Sequence, residues 1–195
     1  MTNYFGDTLK VISNSLDTMD TSIFEALLDD CIKVLNEEKR IIFTGLGKNV
    51  PVCEKVVGTM WSLGLNAAFL HTNNAVHGDI GMIQDGDLVI VLSKSGETSE
   101  SKHLLKHLKK RNVCDWAITF NKDSSLAKGA TNALSLELES EGDPWNIVPN
   151  NSTAVYLILL QTLVMHICKR LDVDLNVFKK NHPGGHIGEK LNGKQ

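Results

Sequence analysis

Five short apolar runs set the limits on what this chain can become: RIIFTG (40–45), AAFL (67–70), DLVIVLS (87–93), CDWAITF (114–120) and ALSLEL (133–138). Each has the length of a strand rather than a helix. Between them lie stretches with helical spacing, VCEKVVGTMWSLG (52–64), SESKHLLKHLKKR (99–111) and the short SSLAKGA (124–130). The first and third runs are almost continuously apolar, as strands buried on both faces are. Strands separated by helices predict a five-stranded parallel sheet covered on both sides, a single-domain, three-layer α/β/α fold.

The rest of the chain fits around that sheet. Residues 20–38 bring Ile23, Leu27, Leu28, Cys31, Val34 and Leu35 near one helical face, with Asp20 or Thr21 as cap, and a second amphipathic helix covers about 4–18. Residues 1–39 are therefore expected to pack as N-terminal helices on a core formed by 40–195. After the last run, ESEGDPWNIVPNN is held open by Pro144 and Pro149 and leads into AVYLILLQTLVMHIC (154–168). That stretch falls short of the roughly 20 residues needed to span a bilayer, and it carries Gln161 and His166. It reads as a core or interface helix. The tail LNVFKKNHPGGHIGEKL reads as a short helix followed by a glycine-rich loop.

Composition narrows the function classes. A formal net charge of -3, with its charges scattered along 195 residues, argues against a nucleic-acid surface or a polybasic membrane anchor. Cys31, Cys53, Cys114 and Cys168 are far apart with no C-x-x-C pair, and MTNYFGDTLK lacks the apolar core of a signal peptide. A reduced, cytoplasmic protein without a metal site is expected, its cysteines acting as small buried hydrophobes.

In an open parallel sheet of order 2-1-3-4-5, ligands sit beyond the carboxyl ends of the strands where the order reverses, between strands one and three. The segments leaving those strands are GLGKN (45–49) and SKSGETSE (93–100). In the second, Ser93, Ser95 and Thr98 offer hydroxyls, Gly96 allows close backbone approach, and the next helix points its free N–H groups and positive dipole end at the same place. This suits a phosphate. A helix cap is the competing reading, but one cap needs one hydroxyl, and three with Lys94 exceed that. GLGK lacks the G-x-x-x-x-G-K-[ST] pattern, and Val50 stands where a dinucleotide fingerprint ends in glycine, so nucleotide binding is disfavoured. Lys48 is either an ordinary solvated lysine or a crevice cation. His77, beside Gly78 and Asp79, and His182, before Pro-Gly-Gly, are each either structural or aimed for proton transfer, and Glu141 either solvated or catalytic.

GLGK, HGDIGM, SKSGETSE, SSLAKGA, P-x-N-x-x-P-x-x-ST and HPGG, in this order from about residue 40 to 191, resemble the sugar isomerase (SIS) domain, specifically its arabinose 5-phosphate isomerase branch. HGDxGM and HPGG are more specific to that branch than the phosphate turn. The resemblance implies a flavodoxin-like fold, a homotetramer, and cofactor-free interconversion of D-ribulose 5-phosphate and D-arabinose 5-phosphate. It puts the functional polar residues at Lys48, His77, Glu100, Glu141 and His182, and the phosphate hydroxyls at Ser93, Ser95 and Thr98; Asn49 and Lys94, which stand beside them in this chain, are expected to be further phosphate contacts. His182, on the tail, would serve a neighbouring subunit's crevice if the site is shared.

The sequence also departs from the family's pattern. Asn49-Val50 stands for the usual Ser-Gly, Lys94 for Asn, EGDPWNIVPNNST for EACPLNLAPTSST, and His186 for a small residue; the CBS modules of longer members are not in this sequence. These differences bear on substrate identity more than on reaction type. Isomerisation through an enediol needs a base, an acid and stabilisation of negative charge, and this chain carries all three. Isomerisation of another phosphosugar, such as a hexulose 6-phosphate, and a phosphosugar sensor without turnover are the alternatives.

Overall fold

The computed structural model describes residues 3–191 and Gly193; Met1, Thr2, Asn192, Lys194 and Gln195, the outermost residues of the ranges 1–39 and 40–195, lie outside the described residues. All five runs are strands, β1 (Ile41–Gly45), β2 (Ala67–His71), β3 (Leu88–Leu92), β4 (Cys114–Thr119) and β5 (Asn132–Ser135). Every pairing is parallel, in the order β2-β1-β3-β4-β5, with Phe43 of β1 opposite Phe69 on one side and Ile90 on the other. The period of two in a strand sends alternate side chains to opposite layers. Ile41, Phe43, Leu88 and Ile90 join one core, while Ile42, Val89 and Val91 join the other. Both faces of β1 and β3 are thus buried, which is why those runs are apolar throughout.

The first layer comprises α1 (Tyr4–Asp17), α2 (Thr21–Asn36), α3 (Asn49–Ser62) and α7 (Asn151–Arg170), the second α5 (Ser99–Leu108) and α6 (Ser125–Gly129). Asp20, not Thr21, caps α2, accepting from Ser22 N–H at 2.8 Å. At 20 residues α7 is longer than the apolar stretch that marks it, and by length and composition it could cross a membrane. Its side chains say what it does here. Val155, Tyr156, Leu159, Leu160, Leu163, Val164 and Ile167 are buried against α1, α2 and α3, each contributing about 1.5–3 kcal/mol through burial. Cys31 and Cys53 are fully buried, and burial pushes the Cys53 thiol up to about 12, so both are packing groups.

Two segments differ from the sequence reading, and a third is filled in by the structure. The fifth run leaves the sheet at Ser135 because the backbone of Glu137 is taken by α1: its N–H donates to Thr18 Oγ1 at 2.8 Å and its carbonyl accepts from Ser15 Oγ. The stretch between β2 and β3 carries a one-turn helix, α4 (Thr72–Ala75), and a 3-10 turn at Asp79–Met82, with His77 in the turn that joins them. The expected glycine-rich tail is helical as well. α8 (Leu175–Asn181) is followed by α9 (Gly185–Leu191), and Gly188 lies so near His182 that a Cβ there would sit 2.5 Å from its carbonyl oxygen.

Candidate active site

The strand order reverses between β1 and β3, so the crevice lies where the chain leaves Gly45 and Leu92. The segment after β3, residues 93–98, is stitched to β4: Ser93 N–H donates to Ile118 O at 3.2 Å, while Phe120 N–H and Thr119 Oγ1 both donate to Lys94 O at 3.0 Å. Gly96, at φ +63°, could carry no side chain, because a Cβ would collide with Ser124 Oγ. Within the turn, Ser93 Oγ accepts from Gly96 N–H at 3.1 Å and lies 3.0 Å from Thr98 Oγ1, and Ser95 Oγ accepts from Glu97 N–H at 3.1 Å. Ser93 is buried and Ser95 exposed. Thr98 is the N-cap of α5, yet its side chain makes no capping bond. The first-turn N–H groups of α5 have no intrahelical partners, and the positive end of the helix faces the turn.

Glu97, which the sequence reading passed over, fixes this turn from below. Its carboxylate accepts from Ser125 N–H (2.6 Å), Ser125 Oγ (2.8 Å) and Lys102 Nζ (3.0 Å). These bonds, that from Ser125 N–H foremost, lower its pKa to about 2. The signal was an acid inside the first hydroxyl-rich turn together with a second one, SSLA, thirty residues on, but the pairing of the two turns is a tertiary fact.

Glu141 is the most enclosed acid of the site, its side chain 0% exposed. Oε1 accepts from Lys94 Nζ at 2.7 Å and Ser152 Oγ at 2.7 Å, Oε2 from Asn150 N–H and Ser152 N–H at 2.9 Å each. It therefore caps α7, whose N-cap residue Asn150 makes no side-chain cap of its own. Burial raises its proton affinity, but the bonds from Lys94, Ser152 and Asn150 outweigh burial and hold the carboxyl below its ordinary range. The loop before α7 is folded on a second acid: Asp143 accepts from the N–H groups of Trp145, Ile147 and Val148 at 2.9–3.0 Å, which leaves those three apolar side chains exposed.

The remaining candidates fall into two groups. Asn49 Nδ2 donates to Leu92 O at 3.4 Å, tying the start of α3 to the end of β3, and Lys48, exposed, is the N-cap of α3. Glu100 lies in the first turn of α5; hydrogen bonds from its own backbone N–H and from Ser99 Oγ (2.8 Å) keep its carboxyl below the usual range. With Ser99, His103 and Val76, the neighbour of His77, it lines a shallow depression of about 280 Å³. His77 is exposed, its N–H bonded to Asn74 O at 2.9 Å, and Gly78 after it adopts φ +120°.

His182 stands apart. Its ring stacks on Phe178 at 3.9 Å, and its Nδ1 lies 2.9 Å from Phe178 O. Asn181 Nδ2 donates to Trp61 O and Ser62 O at the far end of α3, and Val177 packs on Gly64. Fourteen residues of helix separate that end from Lys48, about 21 Å at 1.5 Å per residue. Within one chain the HPGG histidine and the crevice are at opposite ends of the sheet.

A SIS domain model matches residues 34–166. An arabinose 5-phosphate isomerase, KdsD of Francisella tularensis, is 35% identical over 186 residues, 95% of this chain and 55% of that protein. The chain spans about half the length of the curated relatives it matches. A protein of E. coli CFT073 solved in complex with arabinose 5-phosphate is 30% identical, with a TM-score of 0.84 over 94% of this chain and 100% of that one. A chain from Listeria monocytogenes superposes at TM-score 0.86 over 92% of this chain and 93% of its own, and at 23% identity it bears on the fold alone. Architecture and family match converge, and the chain belongs to the SIS domain family.

Proposed function

We propose that this protein is an aldose-ketose isomerase interconverting D-arabinose 5-phosphate and D-ribulose 5-phosphate through an enediol. The observation that carries this reading is the braced turn 93–98 at the switch point, with an engaged but buried carboxylate, Glu141, directly behind it. Likeness to KdsD and to the E. coli CFT073 protein in complex with arabinose 5-phosphate supports the choice of pentose.

The substrate phosphate docks at the N-terminus of α5 and on the hydroxyls of Ser95 and Thr98, while Ser93 holds the turn's shape from within. This remote anchor positions the reacting carbons of the open-chain sugar over the crevice. Glu141 takes the carbon-bound proton, Lys48 stabilises the enediolate, and His77 and Glu100 border the sugar from the α4–α5 side. His182, about 20 Å from its own crevice along α3, acts in the crevice of another copy, as expected of a homotetramer. The exposed Phe5, Leu9, Trp61, Ile158 and Met165 provide apolar surface for such an assembly.

One observation favours a second reading. Glu141 has every acceptor position filled, as it would in a sensor that binds a phosphosugar and releases it unchanged. Incubation with ribulose 5-phosphate, followed for arabinose 5-phosphate, together with a thermal-shift panel of C5, C6 and C7 phosphosugars, separates the two. Turnover of the pentose is expected; stabilisation without turnover of any member overturns the enzyme in favour of the sensor, and turnover of a hexulose 6-phosphate alone moves the substrate.

A further inference from the structure

Resting on the phosphosugar reading of this crevice, we propose that Lys94 is a substrate-operated positioning residue: without substrate it occupies one oxygen of Glu141, and the substrate's phosphate draws it away, so that the base is freed only in the complex. The four donors to Glu141 are not equivalent. Asn150 N–H and Ser152 N–H belong to the start of α7, a helix buried along most of its length, and cannot withdraw without unmaking its first turn; Ser152 Oγ sits on the same buried turn with Glu141 Oε1 as its acceptor. Lys94 Nζ sits at the end of a flexible four-carbon stem that is 41% exposed, with Glu141 Oε1 as its ion-pair partner at 2.7 Å. It is the donor that can leave.

The turn also says what would draw it. Lys94 lies between Ser93 and Ser95, and the N-cap of α5, Thr98, follows four residues later, so a phosphate on the first N–H groups of that helix arrives beside the lysine stem. A phosphate dianion competes with a single carboxylate for one ammonium, and Lys94 Nζ holds three protons, of which Glu141 uses one. Once the ammonium turns to the phosphate, Oε1 keeps its bond from Ser152 but regains an open acceptor position facing the crevice. The carboxylate remains buried, and burial then raises its proton affinity unopposed by a cation. A poor base becomes a competent one at the moment a proton is there to be taken. Among the described residues, the titratable groups that act on Glu141 are Lys94 from the turn, at 2.7 Å, and Tyr156 from α7, whose hydroxyl is spent on Ile118 O at 3.1 Å and which is itself influenced by Cys53 of α3.

The test follows the Glu141 carboxyl carbon by NMR against pH in the protein carrying ¹³C-labelled glutamate, with Glu141→Gln assigning the signal and backbone amides of 93–98 reporting occupancy. The probe is inorganic phosphate. Saturating phosphate should raise the Glu141 pKa by roughly one pH unit or more. In Lys94→Met the carboxyl should start at the raised value and no longer respond, and Lys94→Arg should restore part of the response. In the turnover assay Lys94→Met should move the acid limb of the kcat/KM profile, which reports the free enzyme, to higher pH and leave that of kcat, which reports the complex, where it was; a static brace would move both. If phosphate shifts the turn amides while Glu141 titrates as before, the lysine is a static brace; the proposal falls and the phosphosugar reading stands. If neither inorganic phosphate nor any phosphosugar moves the turn, both fall.

Discussion

The fold contains two lysine–carboxylate pairs built to nearly one plan, at opposite ends of the sheet. At the amino end, Asp115 (2% exposed) meets Lys109 (40% exposed) at 3.0 Å; at the carboxyl end, Glu141 (0%) meets Lys94 (41%) at 2.7 Å. Both acids also take a hydroxyl and backbone N–H groups, Asp115 from Thr131, Glu141 from Ser152 and Asn150. The difference is in what surrounds the lysine. Lys109 Nζ also donates to Thr131 Oγ1 at 2.8 Å, so lysine, acid and threonine close a ring within one corner of the fold. Lys94 joins the phosphate turn to the start of α7, two segments separated by two strands in the sequence. The same chemistry thus closes on itself at the amino end, while at the carboxyl end it bridges two segments at the crevice, where the proposed function gives it work to do.

The sharpest break between the two pairs is in turnover. Glu141→Gln should fold, losing about 1–3 kcal/mol for the altered hydrogen bonds, and lower turnover of the cognate phosphosugar by orders of magnitude; His182→Ala should do the same from a neighbouring copy. Asp115→Asn should cost similar stability and leave kcat alone. Near-wild-type kcat in both Glu141→Gln and His182→Ala would sink the catalytic assignment. Ligand binding comes next. Ser93→Ala combined with Ser95→Ala should abolish the rise in Tm given by phosphosugars, because Ser93 holds the turn and Ser95 faces outward, whereas Thr131→Ala at the other pair should leave that rise intact. An unchanged ligand shift in the double variant would refute the phosphate seat.

A weaker effect separates the pairs by pH. The folded pKa of Glu141 lies below its unfolded value, so its ionised form contributes stability above the unfolded value, near 4.3 for a free glutamate. That contribution is lost as pH falls through the folded value. Urea midpoints for wild type and Glu141→Gln should therefore converge on acidification below about pH 4.5. A difference that stays constant down to the folded value would mean the carboxyl is not held by its partners.

Much of this was legible beforehand, for identifiable reasons. The strand order and the place of the turn at 93–98 could be read because burial on both faces writes itself as an uninterrupted apolar run, and because a glycine among hydroxyls directly after such a run marks where the chain leaves the sheet. The role of Ser93 was only partly visible: the sequence offered its hydroxyl to a ligand, while the fold spends it on Gly96 N–H. Lys94 was read as a phosphate contact; that its ammonium meets Glu141 depends on a loop forty-seven residues away folding around Asp143 and Asn146. Glu97 and Ser125 were missed for the same reason. The distance of His182 from the crevice was not legible at all, since it follows from α8 docking on the far end of α3 through Asn181.

The smallest expected effect is also the cleanest comparison. Lys109→Met and Lys94→Met each remove one half-exposed ammonium from a buried acid, and one pH unit of lost support for the acid is worth about 1.4 kcal/mol in either variant. Chemical denaturation should therefore rank the two variants as equals. Their phosphosugar-induced Tm shifts should not match: Lys109→Met keeps the wild-type shift, and Lys94→Met loses part of it, because in that variant the phosphate meets no cation on its own turn. Equal shifts in the two variants would reduce Lys94 to the same kind of brace as Lys109. In that case the carboxyl end of the sheet would hold its acid as the amino end does, and the phosphate would be bound by hydroxyls and the α5 N-terminus alone.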